Sequence, residues 1–354
     1  MQMFLEKIKF LVLVSLVASF FVVCWVFSGC YTVKQGVTML GYLCRAVPLE
    51  DTDDEDFIRL VGEIRAFAGE ELGLTMSKSY TRIVELNRDY LAAVVSASAK
   101  DSFRRHEWLY LIVGRLPYKG FFNVDGARKE QRRLEKRDLD VWVRPVDAFS
   151  TLGWFNDPLF SFMRNYPPER LAELIIHELV HATVFIKGQI QFNEELAQFT
   201  GTEGARLFME KRYGLDSQEY QKMLTGITDS QNFVNFVQEL IAELDELYSS
   251  DVGRAKILLE KERIINAFKE RFDFEYENLF TSEKYREFLD LPVNNAYFEL
   301  FRLYHAEDDF FELLYERSGS DLPAFIAAAK AVTRRGGDPR VQLENALIIF
   351  SHKE

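Results

Sequence analysis

Cysteine is scarce: the 354-residue chain has 3, which cannot make an even set. Cys24 lies inside an apolar run and Cys30 ends the segment after it, leaving Cys44 without a partner. A disulfide framework is excluded as the source of stability, so the fold must stand on its core. Repeats and low-complexity tracts are also missing, and proline and glycine are ordinary, which excludes solenoid, collagen-like and disordered classes. Nor is there a basic stripe along the sequence. The formal net charge is -12, and the densest cationic run, ARKEQRRLEKR at 127 to 137, already contains two glutamates. Nucleic acid is therefore a poor partner, and this run reads as the solvated face of a helix.

What the chain does have is apolar and aromatic material: 48% hydrophobic residues, with 31 Phe and 15 Tyr. That is enough for one large domain or two modest ones. At the N-terminus Lys7 and Lys9 precede an uncharged, largely apolar run from Phe10 to Phe27, then FSGC ending at Cys30. Such a segment is an export signal or an anchor. Ser28 and Gly29 directly before Cys30 favour a lipoprotein signal in which Cys30 carries lipid, with a retained membrane anchor as the alternative. Either reading puts the body in the cell envelope, membrane-tethered and outside the cytoplasm, on the periplasmic side.

Residues 1–30 are thus set aside as signal or anchor. From there to 160 the chain reads as helices followed by a small sheet. YTVKQGVTMLGYLCRAV, FIRLVGEIRAFAGEELG and SYTRIVELNRDYLAAVVSASA show apolar positions at helical period, whereas LYLIVGRLP and LDVWVRP are branched and aromatic and read as strands. Residues 161–354 read almost wholly as helix. The expected fold class is α+β, predominantly helical, with 31–160 and 161–354 as two regions or as one unit.

Residues 177–181 spell HELVH. On a helix, positions i and i+4 share a face, so His177 and His181 can direct ring nitrogens at one metal while Glu178 stands about 100° around, near its open position. This is the donor pattern of a zinc hydrolase, in which the metal polarises a water and the glutamate deprotonates it. The setting strengthens the reading. ERLAELIIHELVHATVFIKG begins after Pro167 and Pro168, ends at Lys187 and Gly188, and is apolar almost all round. A buried helix does not carry two histidines and a glutamate without something to pair them.

A third ligand must come from downstream. Glu194 follows Asn193, which reads as the N-cap of the next helix. A connection from Gly188 to Phe192 is long enough to double back beside the metal. Glu203 is the rival, on the opposite side of that helix, so only one of the two can serve. Glu194 is favoured because Ala197, Gln198 and Gly201 on its face are small or polar and allow close helix approach. Gln198 is a candidate to orient a histidine or carboxylate.

HELVH followed by NEELA resembles the gluzincins, zinc peptidases whose third ligand is the glutamate of an Asn-Glu pair. The short gap from His181 to Glu194 sets the chain apart from thermolysin-like and large aminopeptidase members. It is similar instead to a smaller bacterial family of putative aminopeptidases, many of them predicted lipoproteins. The matching pieces are GCYTVKQGVTML, LPYKGFF, AFSTLGWFNDPL, IIHELVHATVFIKGQIQFNEELAQFTGTEG and VNNAYFELFRLY. The resemblance implies one Zn2+ held by His177, His181 and Glu194, with Glu178 as catalytic base and a peptide as substrate. It also puts a tyrosine at Tyr304, a candidate oxyanion partner, with Tyr297 or His305 as alternatives. Trp154 in STLGWF and Asn294 in VNNAYFELFRLY are candidate substrate or supporting residues. Glu195 or Glu203 is a candidate to hold a substrate's free amine, and endopeptidase action stays open. The competing function is a non-catalytic, membrane-tethered envelope protein with a structural metal; an intact Glu178 speaks against it, since a structural site has no use for a base.

Overall fold

The computed structural model describes residues 31–110, 114–147, 157–302, 310–317, 319–332 and 337–351. The apolar run Phe10–Phe27, Cys30, Trp154, Tyr304 and His305 lie outside them. Among the described residues, no helix is long and apolar enough to cross a membrane. Two units are distinguished. The first ends at Val47 and contains helix α1 (Tyr31–Arg45), on which Cys44 is a free, exposed thiol. Residues from Pro48 onward, on both sides of position 160, form the second.

The second unit opens with α2 (Glu55–Glu70), capped by the Asp54 side chain, which accepts from Phe57 N. Its inward face, Val61, Ile64 and Ala68, is 0–1% exposed. Strands β1 (Arg82–Val84) and β2 (Ala92–Ala99) follow. Here the helical reading of SYTRIVELNRDYLAAVVSASA is corrected. The reason lies in burial on both faces. Ala93, Val95 and Ala97 pack with Ala127 and Leu134, while Ser96 stands opposite Trp142, whose ring meets Tyr297 edge-on at 4.8 Å. A strand covered on both sides shows no alternation of polar and apolar residues, and alanine carries a helical signal of its own.

Around β2 the sheet completes itself antiparallel, in the order β5 (Tyr118–Phe121), β2, β6 (Leu139–Val146), with Val94 opposite both Gly120 and Arg144. A hairpin of β3 (Trp108–Tyr110) and β4 (Gly114–Leu116) precedes β5, and α3 (Val124–Glu135) separates β5 from β6. The charged run is indeed largely this helix. Strand β7 (Leu159–Phe160) pairs parallel to β1 and leads to α4 (Pro168–Thr183) and α5 (Ile190–Tyr213).

Long helices complete the unit. α6 (Gln218–Ser249) and α7 (Arg254–Leu279) pack around Phe233, Phe236, Phe268 and Phe272, as their apolar stripes require. α8 (Asn295–Arg302) then lies against β2 and β6. α9 (Phe310–Arg317), α10 (Leu322–Val332) and α11 (Pro339–Ser351) follow, and α9 and α10 pack on α5.

Polar groups join sheet to helices. Asn294 accepts from Ala296 N and Tyr297 N at 3.0 and 3.2 Å and donates to Val141 O at 3.1 Å, so it caps α8 and ties it to β6. Asn295 donates to Ala99 O at 2.9 Å and accepts from Tyr248 Oη at 2.8 Å. Beside them the buried Lys261 ammonium pairs with Asp140. Asn294, a candidate supporting residue, thus spends its Oδ1 on the α8 cap and its Nδ2 on β6. Tyr297 is likewise core, its ring among Trp142, Phe298 and Phe301.

Under α3, Glu130 accepts from Trp108 Nε1 at 2.7 Å and from Arg133 at 2.7 Å. Burial alone would raise its pKa; Arg133, Trp108 and Lys119 outweigh burial and hold it at about 2. A folded pKa below the unfolded one contributes stability above the unfolded value, lost as pH falls through the range between them. Replacing Glu130 by Gln should therefore weaken the fold at neutral pH and flatten its loss between pH about 4.5 and about 2. Thermal unfolding of both proteins across that range checks this.

Candidate metal centre

Helix α4 starts on Pro168, whose fixed φ suits a first turn and whose missing N–H leaves no donor unsatisfied. Leu171, Ala172, Ile175, Ile176 and Leu179 are 0% exposed, and each Ile or Leu so buried contributes about 1.5–3 kcal/mol. This burial fixes how α4 is rotated, and with it the direction of the histidines. The helix stops at Thr183 rather than running to Gly188, because Val184 is already extended. Thr183 Oγ1 accepts from Thr75 N at 2.8 Å, pinning that end.

The turn that follows is closed by Asn193. Its side chain accepts from Ile186 N and donates to Ile186 O, each at 2.9 Å, and the residue is 2% exposed. Gly188 takes φ 82°, a left-handed conformation that a side chain disfavours. α5 thus begins at Ile190, and Asn193 sits within its first turn as a stitch across the loop instead of as the N-cap. The stitch sets Glu194 directly against α4.

His177 Nε2 and His181 Nε2 are 3.2 Å apart, their rings edge to face. Glu194 brings one oxygen to 3.6 Å from His177 Nε2 and the other to 3.5 Å from His181 Nε2. Atoms of these three residues lie within 4.8 Å of one another. Donors bound tetrahedrally at about 2.0–2.1 Å stand about 3.3–3.4 Å apart, so the observed spacing matches a common metal. Two imidazoles and one carboxylate are also the donor chemistry of a catalytic zinc site.

Electrostatics couples Glu194 to His181. Hydrogen bonds from His177 and His181 lower the Glu194 carboxyl to about 2. Burial pulls the His181 pKa down, but the Glu194 carboxylate, with Glu178 adding to it, raises it overall. Glu178 is half-buried. Its charge also reaches Tyr80, whose phenol is pushed well above its ordinary value by burial first and then by Glu178 and Asp157. Tyr80 is 3% exposed and has φ 62°. Nothing in its sequence context, SKSYT, marks it as a neighbour of Glu178.

Other expected residues are held elsewhere. Gln198 donates to Glu173 Oε1 at 2.7 Å and to Thr202 Oγ1 at 3.1 Å, so it orients Glu173 and not a histidine or Glu194. Glu203 lies on the far side of α5, bonded by Arg206 at 2.7 Å and by the Tyr315 hydroxyl at 3.1 Å. It does not join the cluster. Glu195 pairs with Arg340 at 2.7 Å and accepts from Gln191 at 2.8 Å. Both candidate amine holders thus already have partners.

α5 can come this close because of Gly201. A Cβ there would stand 3.0 Å from Glu173 O and 3.1 Å from His177 Cβ. Gly204, on the same side, would meet Ile176 and Leu72 methyl groups at 3.1 Å.

These features define a mostly helical protein in which two histidines and a carboxylate converge on a point where one metal ion fits. Residues 45–343 match the family model described as "Putative aminopeptidase", and the chain belongs to that family. No curated protein and no solved structure gives a significant match.

Gly201→Ala should force α5 off the backbone of α4, destabilise the fold by about 1–3 kcal/mol and weaken metal binding. Gly62 on α2, where an added Cβ would meet nothing within 4 Å, is the control. There alanine should be neutral or add up to about 1 kcal/mol. Denaturant unfolding and zinc titration of the two variants separate the cases.

Proposed function

We propose that this chain is a zinc-dependent peptidase, acting as an aminopeptidase and tethered to the cell envelope by its N-terminal segment. Membership of the family supports a peptidase in general. The observation that carries the finer reading is the convergence of His177, His181 and Glu194, with Glu178 on the same helix. In this reading the two histidines and Glu194 hold one Zn2+, which supplies a Lewis acid for water and for the peptide carbonyl.

Glu178 accepts the proton of the attacking water and delivers it to the leaving amine. Glu194 would bind as a carboxylate, whose charge would offset part of the metal's. Tyr304 is the proposed donor to the developing oxyanion, and Trp154 a proposed substrate contact. The membrane is met through lipid on Cys30 or through the apolar run before it. The acidic balance of the chain argues against nucleic acid as a partner.

The test uses the full chain with a set of peptides bearing free amino termini and the same set N-acetylated. Zinc should be found at one per chain, and cleavage should require the free amine. Glu178→Gln should keep its zinc and lose at least about 100-fold in kcat. Zinc without hydrolysis of either set, in wild type as in Glu178→Gln, would leave only a structural metal; cleavage of acetylated peptides would make the enzyme an endopeptidase. For the ligands, Glu194→Ala should lose zinc and Glu203→Ala should retain it, as metal analysis of the purified proteins would show.

A further inference from the structure

The charged run 127–137, in which glutamates interrupt the cations, changes character once folded. Glu130 is turned inward, 8% exposed, and bonded to Trp108 and Arg133 beneath α3. Glu135 is exposed but its carboxylate accepts from Gln131 at 2.9 Å, at the edge of the cationic face. Ala127 and Leu134, both 0% exposed, complete the inward side. Left facing solvent are Arg128, Lys129, Arg132, Lys136 and Arg137, all exposed. Among the described residues, Glu130 pairs with Lys119 and Arg133, Asp138 beyond the helix pairs with Lys100 and Arg254, and no ion pair reaches any of these five. Arg128, Lys129 and Arg132 occupy positions i, i+1 and i+4 of α3, within about 100° of its circumference, while Lys136 is its C-cap and Arg137 lies in the turn that follows.

We propose that this cationic patch, on α3 and the turn that ends it, docks on an anionic phospholipid surface. Charge complementarity is the argument: an unpaired cationic stripe in a chain of net charge -12 has no general electrostatic reason to form. Five cations near an anionic bilayer, each worth about fivefold in binding, are enough to orient a protein that is already near one. The rest of the acidic chain is repelled by the same surface, so the local patch sets which side faces the lipid. The docking rests on the membrane tether proposed above and not on the peptidase chemistry.

The full chain is placed in nanodiscs of neutral phosphatidylcholine or of phosphatidylcholine with phosphatidylglycerol. Lysine acylation rates are then read by mass spectrometry. Lys129 and Lys136 should react at least about threefold more slowly on the anionic discs, and high salt should restore them. Lys222, exposed on α6, is the internal control and should not change. Replacing Arg128, Arg132 and Arg137 by Ser should abolish the protection of the two lysines without shifting thermal unfolding. Equal rates on both kinds of disc, or protection that survives the triple substitution, would overturn the proposal.

Discussion

The approach of α5 to α4 decides everything at the candidate centre. Gly201 sits where any side chain would press on the Glu173 carbonyl and on His177. Without a Cβ at this point the second helix lies directly on the first, and Glu194 reaches both imidazoles. Three further features act together with that contact: Asn193 closing the connection through Ile186, the apolar face of α4 fixing its rotation, and the short loop itself. A wider helix spacing would leave two histidines facing an out-of-reach carboxylate. Metal donors must stand within a few ångströms of one centre, so backbone proximity is a precondition for the chemistry.

Electrostatic partition gives each acid a separate task. Arg206 and Tyr315 hold Glu203, Arg340 holds Glu195, and the histidines hold Glu194. Two adjacent glutamates therefore differ completely in role, because successive helical residues point about 100° apart. Farther along the chain, the Lys261–Asp140 pair and Asn295 join the sheet to the long helices. A buried ion pair of this kind is weak evidence for added stability, yet its hydrogen bonds fix how two layers meet. The VNNA motif acts here as cap and bridge, with its polar contacts spent on the sheet and on Tyr248.

Much of this was legible in the sequence. The histidine spacing, the apolar envelope around HELVH and the small residues facing Glu194 are local periodic signals, and helical geometry converts them into a face. The long helices and the strands around Trp108 and Trp142 were equally readable from period and composition. The central strand Ala92–Ala99 was not, because burial on both sides erases alternation and leaves an alanine-rich stretch that looks helical. Asn193 followed by two acids looks like a helix start for good reason, since the same residue types serve as caps elsewhere. Only the partner chosen by its side chain distinguishes a cap from a loop stitch.

By itself the sequence determined the donor types, their spacing along one helix and the family to which the chain belongs. Those follow from short-range covalent order, where position along the chain sets direction around an axis. Tertiary structure decided which glutamate meets the histidines, which asparagine ties helix to sheet, and which of the charged residues at 127–137 remain on the surface. Each of these depends on what a second, distant segment brings to the same place. Packing makes that choice, and no local pattern records it.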